Sequence, residues 1–185
     1  HGLQVAADDW PAHCQQVCDR LGVALEVVRV QVVPGASLER AARDARYQAF
    51  AARLGEDELL LTGQHRDDQA ETLLFRLLRG AGVRGLAAMP VARALASGQL
   101  VRPLLDVSRA ELEGYARANG LAWVEDPSNK QPEYSRNFLR RQVLPLLQQR
   151  WPQVSSSLAR TAAHMADAQQ LLDELAQQDL AVAQA

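Results

Sequence analysis

The stretch Leu-Leu-Leu-Thr-Gly-Gln-His-Arg-Asp-Asp-Gln-Ala-Glu-Thr at positions 59–72 decides how the rest of the chain is read. Its apolar start predicts a buried strand over 58–63, ending at Gly63. A short polar loop follows, and then a helix whose first turn carries Asp67, Asp68 and Glu71. In open α/β sheets, sites form where strands end and helices begin. Three carboxylates at such a junction repel one another unless a cation, a metal-bound phosphate or an ammonium group meets them. Helical spacing sets Asp67 above Glu71, and Asp68 near both Glu71 and Thr72. Acids in a first turn also complement the helix dipole, which by itself needs only one of them. His65, Arg66 and Gln69 stand among the acids, and His65 can act as acid, base or donor. Spacing leaves open whether Mg²⁺, which takes one or two carboxylates with phosphate oxygens and water, meets these acids or a substrate ammonium meets Asp68 and Glu71.

Outward from the junction, elements alternate. A helix is expected over 8–21, capped by Asp8 or Asp9, with Pro11 in its first turn and Gly22 at its end. The β-branched run 24–33 predicts a strand, and Pro34-Gly35 a turn. Ser37 then caps a helix to about Leu54, with Tyr47 and Phe50 on its buried side. The alternation β-α-β-α predicts an α/β fold, an open parallel sheet with helices on both faces. After the central helix, Gly80, Gly82 and Gly85 match G-x-G-x-x-G, but they follow a helix rather than a strand, which removes the dinucleotide reading. A tight loop beside Arg79 and Arg84, or a plain helix stop, remains. Residues 100–105 predict a short strand that Pro103 confines to an edge or cuts short. Ser108 and Glu111 form a capping box. Glu125 and Asp126 lie in a polar loop. Helices follow over about 135–149 and from Ser155 or Ser156 onward. The last shows Leu158, Met165, Leu171, Leu172 and Leu175, which need a partner surface. Residues 1–150 are expected to form the catalytic domain, and 151–185 a helical linker or the start of a second domain.

The chain has 185 residues and a net charge of −2, which argues against a strongly basic nucleic-acid binder. Charge is nonetheless segregated. Five arginines (Arg76, Arg79, Arg84, Arg93, Arg102) and no acid lie between Thr72 and Leu105. Six basic residues and one acid, Glu133, lie between Lys130 and His164, and two such basic stretches together with an acidic junction suit a polyanion. No apolar run approaches the ~18 residues of a membrane span, and no secretory signal opens the chain. The start at His1-Gly2 leads to the expectation of a fragment. Cys14 and Cys18, one turn apart on an apolar stripe, are expected to be buried thiols of a reducing compartment.

Several blocks together resemble the tRNA(Ile)-lysidine synthetases of the PP-loop (N-type ATP pyrophosphatase) superfamily. These are positions 62–72, Arg-Gly-Ala-Gly-Val-Arg-Gly-Leu at 79–86, and His1-Gly2-Leu3 with Trp10, His13 and Cys14. Ala42-Arg43 with Ala45-Arg46-Tyr47, Arg102–Leu105, Trp123–Asn129 and Tyr134–Arg140 complete the series. The resemblance runs through the chain in order. Two family features do not match: the Ser-Gly-Gly-x-Asp-Ser pyrophosphate loop is not in this sequence, and the C-terminal tRNA-binding domains are mostly missing. Gln64 stands where many members have a second histidine.

The resemblance implies a cytoplasmic ligase that uses ATP and Mg²⁺. The C2 oxygen of the anticodon cytidine of tRNA(Ile) attacks the α-phosphate, and free L-lysine then displaces AMP. It also implies roles. Asp68 and Glu71 hold the lysine ammonium, with His65 and Asp67 lining the pocket or, for Asp67, placing Mg²⁺. Arg136, beside Asn137, stabilises charge on the phosphate and is counted catalytic with Asp68 and Glu71. Arg46, Arg79, Arg84, Asn137 and Arg140 meet nucleotide or tRNA. The expected partners are the tRNA(Ile) anticodon loop, lysine and a second copy of the chain, with no membrane. Another PP-loop tRNA enzyme, a thiolase or amidating synthetase, is the alternative, disfavoured because Cys14 and Cys18 precede the motif. A non-catalytic binding module is the third.

Overall fold

A computed structural model describes residues 9–32, 38–127 and 135–184. Its elements in order are α1 (Trp10–Leu21), α2 (Leu38–Ala51), β1 (Leu59–Leu61), α3 (Arg66–Leu77), α4 (Val83–Leu86), β2 (Ala92–Leu95) and β3 (Gly98–Val101). Then come α5 (Arg109–Ala118), α6 (Ser135–Phe138), a π-helical turn at Leu139–Val143, α7 (Leu144–Arg150) and α8 (Val154–Ala183). The expected Ser37 cap, the Pro34-Gly35 turn and the blocks at His1–Leu3, Ser128-Asn129 and Tyr134 lie outside the described residues.

The fold is α/β as expected, with a mixed rather than wholly parallel sheet. The strands pair in the order β1-β3-β2. The Gln99 N–H donates to Glu58 O at 3.0 Å and the Thr62 N–H to Val101 O at 3.0 Å, so β1 and β3 advance together and are parallel. A two-residue turn at Ala96-Ser97 returns β2 against β3, antiparallel. Ala96 has φ 49°, a conformation that hairpin turns demand and that glycine adopts more cheaply. Gly98 answers a different need, because a Cβ there would lie 2.5 Å from Glu58 O.

Several local expectations change. Residues 24–32 form no strand; β-branched residues favour a strand only where a neighbour pairs with it, and the sheet runs β1-β3-β2 without them. The central strand is shorter than 58–63 and not buried: Leu59 and Leu61 are exposed, since among the described residues β1 pairs with β3 alone. The strand expected over 100–105 stops at Val101, two residues before Pro103. Neither Ser155 nor Ser156 caps α8. It begins at Val154 after Gln153, and Ser155 is buried in its first turn. Cys14 is exposed and Cys18 half-buried, because α1 buries none of its residues.

Contacts divide the chain into two interleaved units. The first comprises residues up to Leu60, with Ala94–Gln99 and the stretch from Trp123. Within it Arg53 pairs with Glu26 at 2.6 Å, both exposed, a contact of small net value. Arg43 lies 4.6 Å from the Tyr47 ring, and Tyr47 and Phe50 meet edge to face at 6.1 Å. Both aromatic rings are half-buried, and Arg46 on the same helix is exposed.

The second unit holds Leu61–Arg93, Leu100–Ala122 and the chain from 135 onward. It is built on α3, whose middle is buried from Gln69 to Leu74. Leu73 packs with Ala88, Ala162 and Leu158. Leu74, on the adjoining face, packs with Leu139 and Leu144 and the partly buried Phe75, Val143, Leu147, Val154 and Leu158. Each such leucine contributes roughly 1.5–3 kcal/mol by leaving water. The first half of α8 thus completes the core of the helix that carries the acids. Its second half does not: Leu171, Leu172, Leu175, Leu180 and Val182 are exposed.

Candidate active site

Three pieces of the second unit converge on the start of α3. The chain leaves β1 through Gly63 and Gln64 and reaches His65 in extended conformation, φ −124° and ψ 179°. That is N-cap geometry. The His65 N–H donates to Asp68 Oδ2 at 3.1 Å, so Asp68 ties down the helix start. The loop after β3 supplies the second piece. The Arg66 N–H donates to Val107 O at 2.9 Å, and its side chain donates to Asp106 O. Asp67 Oδ2 accepts the Arg109 N–H at 2.8 Å, which caps the first turn of α5. The π-helical turn brings the third piece, Arg140.

Arg140 is a cation that meets two of the three acids, Glu71 and Asp68. Its Nε donates to Glu71 Oε1 at 2.6 Å, and its Nη2 donates to Glu71 Oε2 at 2.9 Å and Asp68 Oδ1 at 3.1 Å. Glu71 is 1% exposed, whereas the Arg140 side chain keeps 26% of its surface. The fork geometry is one that only guanidinium offers a carboxylate. Burial pushes the Glu71 carboxyl above its ordinary value, against the pull of the Arg140 hydrogen bond and charge. Burial works against the Arg140 cation too, but the hydrogen bond and charge of Glu71, with the charges of Asp68 and Asp67, outweigh it. Arg140 is thereby held in its charged form. A π turn in this position agrees with a functional role, since such turns recur where a helix must re-aim a side chain.

The other expected residues fall as follows. His65 Nε2 lies 3.4 Å from Asp68 Oδ2, and Nδ1 lies 3.8 Å from Asp67 Oδ2. Nδ1 and the neighbouring Gln64 Oε1 are enclosed without a hydrogen-bond partner among the described residues. Arg136 Nη2 reaches Thr72 Oγ1 at 3.4 Å, one turn of helix from Arg140, and Asn137 is buried. Arg79 lies 5.1 Å from the Phe75 ring, at the far end of α3, and Arg84 is exposed on α4. Arg46 belongs to the first unit. The five-arginine stretch is not uniformly a polyanion surface. Arg76 Nη1 donates to Gly85 O and Ala88 O, each at 2.9 Å, and buried Arg102 donates to Pro90 O at 2.7 Å. Both clamp loop carbonyls. Gly80, at φ 73°, turns the chain after α3, and its N–H returns to Leu77 O.

Sequence reasoning missed the Arg140–Glu71 pair and the Asp67–Arg109 contact. The partners stand 69 and 42 positions apart, beyond any local periodicity. Gln69, expected to offer a donor and an acceptor among the carboxylates, instead bonds both ways with the Met89 backbone, which fixes the loop before β2.

Residues 1–147 match the PP-loop domain model. The chain belongs to the PP-loop family. It is 71% identical over 185 residues to the tRNA(Ile)-lysidine synthase of Pseudomonas syringae pv. tomato, 100% of this chain and 42% of that protein. To the tRNA(Ile)-lysidine synthase of Pseudomonas fluorescens it is 70% identical, covering 97% of the chain and 41% of that protein. To that of Coxiella burnetii it is 50% identical, covering 100% and 41%. The PP-loop chain thus spans about two fifths of the length of the curated relatives it matches. No helix among its described residues is long and apolar enough to cross a membrane.

Among the described residues no group of three or more His, Cys, Asp or Glu side chains gathers as ligands, and Asp68 and Glu71 are already engaged by Arg140.

Proposed function

We propose that this PP-loop chain is the catalytic part of an ATP-dependent enzyme that converts the anticodon wobble cytidine of tRNA(Ile) to lysidine. The observation that carries the reading is the acid cluster gathered at the start of α3 by Arg140, on a chain so similar to lysidine synthases. In the reaction, the cytidine C2 oxygen attacks the α-phosphate of ATP and pyrophosphate leaves. The lysine amine then attacks C2, and AMP leaves.

The residues take these parts. Asp68, half-buried and anchored by the His65 N–H, offers a carboxylate more open to solvent than Glu71 to an incoming ammonium, and buried Glu71 stands behind it as the anchor of Arg140. His65 and Asp67 line the same pocket. Arg136 and Asn137, on the turn before Arg140, stabilise charge on the transferred phosphate, as a fixed guanidinium can. Arg46, Arg79, Arg84 and Arg140 are candidates for nucleotide or tRNA contact; among them Arg79 and Arg84 are the exposed ones of the second unit. An anticodon base is read unpaired, with the backbone held by arginine. Any Mg²⁺ arrives on the ATP phosphates, with Asp67 as its one carboxylate here, and no step is built on it. A cytoplasmic setting supplies tRNA, ATP and free lysine together. A second copy of the chain would cover the exposed leucines of α8, and sedimentation equilibrium reads that directly.

The test uses the intact protein with tRNA(Ile), ATP and radiolabelled lysine. Asp68→Ala with Glu71→Ala should abolish lysine transfer while pyrophosphate release persists. Lysidine formed at the normal rate by that variant overturns the assignment. Sulfur rather than lysine entering the tRNA would establish the thiolase reading instead.

A further inference from the structure

One stripe of α3 carries the acids at its start and an open cleft at its end. Asp68, Glu71 and Phe75 recur at spacings of three and four, so they share a face, and Leu78 continues it at the C-cap. Residues 135–143 run along that face in the opposite direction. Arg140 meets Asp68 and Glu71, and Arg136 meets Thr72. Beyond them Phe75, Leu78, Arg79, Ser135, Phe138 and Val143 line a cleft of about 450 Å³. All belong to the second unit. The cleft is no core void, because Leu78 is 68% exposed and Phe138 45%. Its size is that of a small-molecule site, and its walls are apolar with few polar groups.

The charge around it is one-sided. No acid lies between Thr72 and Leu105 or between Glu133 and Asp167, the two stretches that supply the walls. The cleft thus forms where the two acid-free basic stretches of the chain meet. Arg79 stands at its edge, held 5.1 Å from the Phe75 ring. That contact occupies Phe75 and leaves Phe138 as the open aromatic ring. We infer that the cleft receives an unpaired base of the RNA strand whose cytidine reacts at the acids, stacked on Phe138, with Arg79 on the adjoining phosphate. The inference rests on the RNA reading above and adds a second base site to it. Bases of single strands stack on exposed aromatic rings, while the backbone follows positive charge. The distance also suits one strand. Phe75 follows Asp68 by seven positions, about 10 Å along the helix axis, a span of a few nucleotides. A neighbouring base drawn out of its stack and held here keeps the target cytidine splayed and accessible.

The experiment measures binding of the anticodon stem-loop RNA of tRNA(Ile) to the intact protein by fluorescence anisotropy at one fixed salt concentration. Loop bases are replaced one at a time by abasic sites. One position other than the target cytidine should weaken binding about tenfold, within the range of a single stacked base. Phe138→Ala should weaken the unaltered RNA by a similar factor and add nothing to the loss at that abasic position. Losses that multiply at every loop position overturn the inference, and so does unchanged RNA binding by Phe138→Ala. A variant whose only change is a lower sedimenting mass marks the cleft as a contact between copies and overturns it too. If Phe138→Ala does not fold, Leu78→Glu closes the cleft from an exposed position, and it should bind the unaltered and the abasic RNA equally. A protein that binds none of these RNAs overturns the tRNA reading together with the inference. One that binds the RNA and forms lysidine, with every loop base uncoupled from Phe138, overturns the inference alone.

Discussion

Helices α3 and α5 begin in the same way and end in different roles. Each opens with a capping box. At α3 the His65 N–H donates to Asp68 Oδ2 at 3.1 Å; at α5 the Ser108 N–H donates to Glu111 Oε2 at 2.7 Å, and the Glu111 N–H returns to Ser108 Oγ at 3.2 Å. Locally the two acids do the same work. They differ in what meets their remaining valence. Glu111 is solvated, and apart from the Ser108 N–H and hydroxyl it faces the Arg66 guanidinium at 3.6 Å. Asp68 gives its second oxygen to Arg140, which also holds a glutamate that is 1% exposed. A cap acid becomes a candidate for chemistry when a partner from far along the chain takes its other oxygen and burial keeps water from replacing that partner.

The largest effect should come from breaking that distant partner. Arg140→Met leaves Glu71 buried without its cation, and removing one member of a buried pair costs about 3–5 kcal/mol. The urea midpoint should fall accordingly. Glu71→Leu combined with Arg140→Met should recover most of the loss, because a buried pair exchanged for apolar side chains is near neutral. A double variant as unstable as the single one would mean that Arg140 stabilises by packing rather than by pairing. Next comes Asp68→Asn. Asparagine still accepts the His65 N–H, so the melting temperature should move little, while lysine binding falls tenfold or more. Unchanged lysine binding would reduce Asp68 to a cap like Glu111.

The sequence announced the junction and not its partner. The strand, the Gly63 stop and the first-turn acids all lie within fourteen positions, where periodicity and capping rules apply. Arg140 is recruited through the core, by Leu139 and Leu144 packing on Leu74, and no window on the sequence contains both faces. The same limit explains other differences. Ala92-Arg-Ala-Leu95 has no strand preference, yet it pairs because the turn at Ala96-Ser97 delivers it to β3. Residues 24–32 have every strand preference and no assigned neighbour. Arg76 and Arg102 read as surface charge from composition, but they hold loop carbonyls whose positions only the folded chain defines.

A smaller effect tests the other side of the comparison. Ser108→Ala removes the side-chain acceptor for the Glu111 N–H and should cost about 1 kcal/mol, the usual value of an N-cap. Lysine binding should be untouched. A loss of lysine affinity in this variant would show that the start of α5, through Arg109 and Asp67, is part of the site rather than its support.

The smallest effect is a difference in sign. Glu71 has its carboxyl raised above the ordinary 4.5 by burial. Glu111 has its carboxyl lowered below the same value by the Ser108 hydrogen bonds. A raised carboxyl means that the folded state holds the proton more tightly than the unfolded one. Stability then falls as pH rises from 4.5 through the raised value, and levels off beyond it. A lowered carboxyl acts oppositely: its contribution is complete above 4.5 and is lost as pH falls through the folded value. Stability measured against pH for Glu71→Gln and Glu111→Gln, each subtracted from the unaltered protein, should therefore bend on opposite sides of pH 4.5. Constant offsets from lost contacts do not alter where the bends fall. Two curves bending on the same side would mean that the acid under Arg140 and the acid at the surface share one environment, and the distinction between the two helix starts would fail.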